Sequence, residues 1–236
     1  IGEMHARKIT GLYKLATKTG APVVGMIDCG GVRLEESTDA LNALGKVMNA
    51  EVMASGLIPQ ITAVFGSCGG GMSVVAALSD FTYVEEAKGR VFVNAPDAVK
   101  DNTVEKCDCA AAAFRQTTGS VDFVGSEAQI FADMRALLSM LPGNCEDDGE
   151  IIPGNDDPNR SVAGIQNGDA ALALAMLADN GLFTEIKKEY GKAIVCGFMR
   201  LNGATVGAMA NVSAELDHKS VSKAADFVNF CDAFRI

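Results

Sequence analysis

Histidine is nearly missing from this sequence: only His5 and His218 stand in 236 residues, so chemistry that needs an imidazole base has almost no material. Tryptophan is absent altogether. Positive charge is also scarce, with 20 Lys and Arg against 30 Asp and Glu and a net charge of −10. Such an acidic chain makes nucleic acid and anionic membranes poor partners. No apolar run approaches the roughly 18–20 residues that cross a bilayer, which excludes a membrane span within this segment. The seven cysteines are odd in number and lack paired spacing, which fits free thiols in a reducing cytoplasm and not a disulfide framework. Cys107-Asp108-Cys109 is no Cys-x-x-Cys knuckle and no second pair answers it, so no metal site is expected. Walker-type phosphate loops and the dinucleotide fingerprint are missing too.

What is present is an ordinary globular balance, 48% apolar and 21% charged, enough for one large domain or two small ones at roughly 150 residues each. Residue 1 is Ile, so a natural start is expected upstream. Ile9, Leu12, Tyr13 and Ala16 share the spacing of one buried helical face and predict a helix over 5–18, closed by Gly20. Residues 22–27 read as a buried strand running into Asp28-Cys29-Gly30-Gly31. A helix over about 38–54 precedes a strand at 58–65, which ends in Gly66-Ser67-Cys68-Gly69-Gly70-Gly71 and a helix of small residues at 72–79. Short strands are expected at 81–84 and 90–93, and Ser126 with Gln129 forms a capping box opening a helix to about Leu141.

Residues 142–160 concentrate Pro, Gly and acidic side chains and read as a linker. A helix over 163–178 stops at Asn180-Gly181, and residues 193–200 with 205–211 form a hairpin turned at Asn202-Gly203. Lys223, Ala224, Phe227, Val228 and Cys231 then repeat the helical face of Lys8, Ile9, Leu12, Tyr13 and Ala16 at an offset of 215 residues. That echo suggests duplication, and with it a chain cut from the middle of a longer protein.

The two glycine loops each follow a buried strand, the place where ligands settle in α/β proteins. Glycine lets the backbone approach a ligand closely, and a loop that opens a helix aims N–H groups at one point. Such a point stabilises an oxyanion or enolate with no titrating side chain. The bland alternative is a pair of tight turns packing small residues. Gly66-Ser67-Cys68-Gly69-Gly70 also fits a nucleophile elbow with Cys in place of Ser, yet the chain offers scarcely a base to activate it. Arg7, Lys8, Lys14 and Lys18 read as a solvated helix face before an anion site. Arg33, in a loop with Glu35 and Glu36, either anchors that loop by an ion pair or lines a site.

Several of these stretches are similar to one family. Ile1-Gly2-Glu3-Met4-His5 with Lys8, Thr19-Gly20-Ala21-Pro22-Val23 and Asp28-Cys29-Gly30-Gly31-Val32-Arg33 resemble the carboxyltransferase subunit of biotin-dependent acyl-CoA carboxylases and decarboxylases. So do Ala54-Ser55-Gly56-Leu57-Ile58-Pro59-Gln60-Ile61, then Gly66-x-Cys68-x-Gly70-Gly71, then Ala77-Leu78-Ser79-Asp80-Phe81. The likeness resumes with Phe183-x-Glu185-Ile186, Val195-x-Gly197-Phe198-x-Arg200-Leu201-x-Gly203 and the stretch from Ala224 to Phe234.

The resemblance implies a crotonase-like α/β fold, part of two tandem crotonase-like domains. Residues 1–141 would be an N-terminal carboxyltransferase domain without its start, 142–160 a linker, and 161–236 the truncated beginning of a C-terminal domain. Gly70 and Gly71 match the family's oxyanion pair, and Cys29, Gly30, Gly31, Arg33, Cys68 and Gly69 would line the same substrate cavity. The implied reaction moves a carboxyl group between biotin and a short acyl-CoA, propionyl- or methylmalonyl-CoA first, through an oxyanion-stabilised enolate. Biotin would arrive on a separate carrier protein, since no Lys here sits in a Met-Lys acceptor context. Biotin carboxylase or decarboxylase-pump subunits and further copies of the chain are the implied partners, in the cytoplasm. This segment alone is expected to be inactive. Cys29 and Val32 replace the usual Ser and Ala, and Ala111, Ala112 and Asp122 stand near an expected Gly, Gly and His. Two rivals remain: a crotonase-type hydratase or isomerase using Glu35 or Glu36, and a non-catalytic paralogue.

Overall fold

The structure is a computed structural model that describes residues 1–98, 108–154, 156–157, 159–162 and 168–236. It divides into two compact units, Ile1–Ala132 and Asp133–Ile236.

In the first unit, helix α1 (Glu3–Thr19) ends at Gly20 in the left-handed region, where its sequence stops favouring a helix. Its buried stripe is Ala6, Tyr13 and Ala16 with Ile9 half-buried, while Leu12 is exposed. The stripe is therefore narrower than the expected face, because Tyr13 and Ala16 meet Val23, Ala54 and Ile58 in one cluster and leave Leu12 beside it. Strand β1 (Val23–Cys29), helix α2 (Ser37–Ala54), strand β2 (Gln60–Gly69) and helix α3 (Met72–Leu78) follow.

Strands β3 (Phe81–Glu85), β4 (Arg90–Phe92) and β5 (Phe123–Gly125) complete a parallel sheet of order β1-β2-β3-β5, with β4 also paired to β2. Residues Gln60–Val64 are buried without alternation, as a central parallel strand demands. β2 changes partner part-way. Ile61–Val64 lie against β3, and Ser67–Gly69 lie against β4. β2 also runs further than expected, through Cys68 and Gly69, so half of the second glycine loop is strand. The core gathers Ile27, Val64, Cys68, Val75, Ala76 and Val84 with Leu44 and Val47 of α2. β5 carries no legible periodicity in three residues, and its place comes from pairing Tyr83–Glu85 with Phe123–Gly125. Helix α4 (Ala112–Arg115) is a single turn.

Helix α5 (Glu127–Met140) opens with the expected capping box: Ser126 N donates to Gln129 Oε1 at 3.0 Å and Gln129 N to Ser126 Oγ at 3.4 Å. The division between units falls inside this helix, ahead of the expected boundary at 141. The described residues of the expected linker are tied into the second unit. Ile152 N donates to Gly203 O, and the Arg160 guanidinium donates to Met176 O, Leu177 O and Ala178 O.

Those carbonyls end helix α6 (Ala170–Leu177), which starts later than the expected residue 163. Gly168 has a φ of +86 and the Asp169 side chain caps Leu172 N, so the chain enters the helix there; residues 163–167 lie outside the described residues. Strands β6 (Phe183–Ile186), β7 (Ile194–Leu201) and β8 (Ala204–Asn211) form an antiparallel sheet. The β7–β8 turn at Asn202-Gly203, with φ of 51 and 81, is the hairpin expected. Helix α7 (His218–Phe234) begins under an Asp217 cap on Ser220 N and carries the fully buried Lys223, whose Nζ donates to Ile194 O.

Candidate functional site

The carboxyl ends of β1 and β2 carry the two glycine loops, and the sheet brings them together. Register runs evenly from Val23 opposite Gln60 to Ile27 opposite Val64, then slips so that Cys29 lies opposite Cys68. The slack is taken up by Phe65-Gly66-Ser67 against the single residue Asp28. Asp28 Oδ1 accepts from Ser67 N at 2.9 Å, and a side chain at Gly66 would strike that carboxylate. Asp28 thus pins the place where both strands turn into loops. Sequence reasoning missed it, because its partner lies 39 residues away.

Beyond the slip the backbones touch. A Cβ on Gly69 would lie 2.7 Å from Gly30 O and 2.8 Å from the Phe92 ring, and one on Gly31 would lie 3.7 Å from Gly69 O. Only glycine allows that approach. Gly70 has a φ of +59 and nothing within 4 Å of where a side chain would project, so it faces open space. Gly70 O and Gly71 O accept from Ser73 N and Val74 N as α3 starts. Among the described residues, the N–H groups of Gly70 and Gly71 have no hydrogen-bond acceptor. The arrangement is a backbone turn that is open at Gly70, packed against Leu44 at Gly71, and has two amides to offer.

Of the expected residues, Cys29, Gly30, Gly31, Cys68, Gly69, Gly70 and Gly71 gather at these loops. Arg33 takes the anchoring alternative: its exposed side chain pairs with Glu36 at 3.4 Å, and its N–H donates to Ile1 O. Glu36 in turn accepts from Glu3 N at 2.6 Å, and that hydrogen bond, ahead of Arg33, holds its carboxyl below the usual range. Its charge sits on the start of α1, where it complements the helix. Glu35 is exposed.

Cys68 is fully buried, and burial pushes its thiol up to about 12, with Cys29 adding to the shift. Protonated at rest and shut away from solvent, the Cys68 thiol is not poised to attack a substrate, so the elbow pattern here is packing. His5 is engaged at α1, where Nδ1 accepts from Gly2 N at 3.3 Å.

Ala112 is buried at the start of α4 and Ala111 bridges to Arg90, close to β4. Asp122 sits instead at the amino ends of the strands, where its Oδ2 accepts from Thr82 N at 2.8 Å and its own N–H donates to Thr82 O. It holds the frame on the side away from the glycine loops. Residues 99–107, including Cys107, lie outside the described residues.

The family described as the carboxyl transferase domain matches residues 1–236. The chain belongs to that family. The propionyl-CoA carboxylase beta chain of Roseobacter denitrificans is 35% identical over 254 residues, covering 100% of this chain and 50% of the relative. The methylmalonyl-CoA decarboxylase subunit alpha of Veillonella parvula is also 35% identical, with the same coverage. A solved transcarboxylase 12S, a hexamer with hydrolysed methylmalonyl-CoA bound, superposes with a TM-score of 0.90 at 33% identity, over 100% of this chain and 49% of that one. The carboxyl transferase chain described here therefore has the crotonase-like α/β fold. It spans about half the length of the curated relatives it matches.

Proposed function

We propose that the protein carrying this chain is a biotin-dependent acyl-CoA carboxyltransferase, moving a carboxyl group between carboxybiotin and a short acyl-CoA. Propionyl- or methylmalonyl-CoA is the substrate pair, as in the relatives' names. The observation that carries the reading is the turn at Gly70-Gly71 at the end of β2, open at Gly70, whose two amides have no acceptor among the described residues. An acyl thioester placed there would rest its carbonyl oxygen on both N–H groups. As the α-carbon gains or loses its carboxyl group, negative charge grows on that oxygen and the amides hold it. Gly30, with nothing within 4 Å of where a side chain would project, leaves room for the thioester, and no protein nucleophile is needed.

Carboxybiotin, delivered on a separate carrier protein, would supply or receive the carboxyl group. A neutral backbone wall without side-chain bulk fits the flat ureido ring of that group. In this reading residues 1–141 are an N-terminal carboxyltransferase domain and residues from 161 open a second one. The protein assembles as a homo-oligomer in the cytoplasm with biotin carboxylase or decarboxylase-pump subunits. A hydratase or isomerase would need a free carboxylate over the acyl α-carbon; Glu36 is occupied by Glu3 N and Arg33, which speaks against it.

The test is acyl-CoA binding and turnover by the full-length protein against Gly70→Val. The substitution meets open space but a left-handed backbone, costing about 1–2 kcal/mol of stability. Turnover should fall by about 10²-fold or more, the usual loss when an oxyanion donor is displaced. Binding of no acyl-CoA by the parent would instead leave a non-catalytic paralogue.

A further inference from the structure

We propose that Cys29 and Cys68 are a peroxide-sensitive thiol pair, which closes to a disulfide tying the two glycine loops together. The two residues lie directly opposite each other on neighbouring parallel strands. Adjacent strands run about 4.8 Å apart, inside the roughly 4.4–6.8 Å between Cα atoms that a disulfide spans. Both side chains are on one face, since Cys68 belongs to the core cluster with Ile27 and Val64 and Cys29 packs against the same cluster.

Their exposures differ in the way such a pair requires. Cys29 is half-buried and lines a cavity of about 560 Å³ beside β1 and α1, so a small oxidant reaches it. Cys68 is buried behind it, in the core cluster that Cys29 packs against. Hydrogen peroxide takes a sulfur electron pair from Cys29, breaking its O–O bond to leave a sulfenic acid and one water. The Cys68 sulfur then attacks the Cys29 sulfur, releasing its proton, and the sulfenic hydroxide leaves with that proton as a second water. Two thiols are oxidised by two electrons and one peroxide is reduced.

The bond would draw Cys29 in beside Cys68 and so shift Gly30 and Gly31 against Gly69 and Gly70. Its effect on acyl-CoA rests on the reading above, whereas its formation does not. The test is therefore chemical. The reduced, folded full-length protein is treated with hydrogen peroxide, free thiols are blocked with iodoacetamide, and digests with and without dithiothreitol are compared by mass spectrometry. A dithiothreitol-sensitive peptide joining Cys29 to Cys68 is expected, and it should vanish in Cys29→Ser. In Cys68→Ala, Cys29 should accumulate as sulfinic or sulfonic acid, because its partner is gone. Cys109 and Cys145, half-buried like Cys29, serve as the internal comparison. The proposal is overturned if Cys29 in the parent oxidises without linkage to Cys68, if it links elsewhere, or if both thiols stay reduced while other cysteines react.

Discussion

Glu51 puts a carboxyl group where only 3% of its surface meets solvent, with Tyr13 Oη donating to its Oε1 at 3.2 Å. Burial pushes that carboxyl up to about 8, and the Tyr13 hydrogen bond pulls the other way. In the unfolded chain the same group ionises near 4.5. Between those two values the folded state keeps a proton that the unfolded state has lost, so stability falls as pH rises through that window and levels off above it. The slope is about 1.4 kcal/mol per pH unit for one proton. Asp80, raised to about 6 by burial, adds to the lower part of the window. Urea unfolding between pH 6 and 8 should therefore show the loss in the parent and little of it in Glu51→Gln; equal slopes would refute the assignment. Residues such as Glu51 and Asp28 were illegible in the sequence because each owes its role to a partner far along the chain. Gly70 and Gly71 were legible because a glycine run after a buried strand has few uses.

Among elements, β2 differs most from what its sequence suggests. Its apolar run ends at Phe65, but pairing with β4 carries the strand on to Gly69. Periodicity cannot register that, since the added residues are glycine, serine and cysteine held by a neighbour. The slip against β1 depends on the Asp28 carboxylate. Asp28→Ala should lower stability by about 1 kcal/mol, the worth of an ordinary hydrogen bond, yet weaken acyl-CoA binding more than that loss explains. Asp28→Asn keeps an acceptor for Ser67 N and should restore most of both. Paired urea titrations and binding isotherms separate the two effects. Helices were the easiest elements to read, as α2 and α5 show. The start of α6 was missed because its cap at Asp169 outweighs the apolar pattern before it.

Across the first unit as a whole, the parallel sheet carries the glycine loops at one end, pinned by Asp28, and at the other end Asp80 and Asp122, which accept from Gln60 N and Thr82 N. Asp122→Ala would leave the buried Thr82 N–H without its acceptor and should cost about 1–3 kcal/mol, with affinity for acyl-CoA unchanged in the protein that remains folded. Gly70→Val carries a similar cost of about 1–2 kcal/mol from its left-handed backbone but should lose acyl-CoA binding or turnover as well. If thermal melts and binding constants of both variants moved together, the division of labour would fail. The fold class and family were readable from motifs spread over the whole chain, but the partition into Ile1–Ala132 and Asp133–Ile236 was not, because the acidic stretch 142–160 reads as solvated while its described residues bond into the second unit. The change of partner along β2 has a last consequence. Ile61–Val64 are clamped residue by residue by β1 and β3, whereas Ser67–Gly69 are held by the short β4 and, toward β1, by the single Cys29–Cys68 pair and the Asp28–Ser67 hydrogen bond. The strand can therefore fray at its glycine end without unzipping the sheet, and local opening there is a separate, cheaper event than global unfolding.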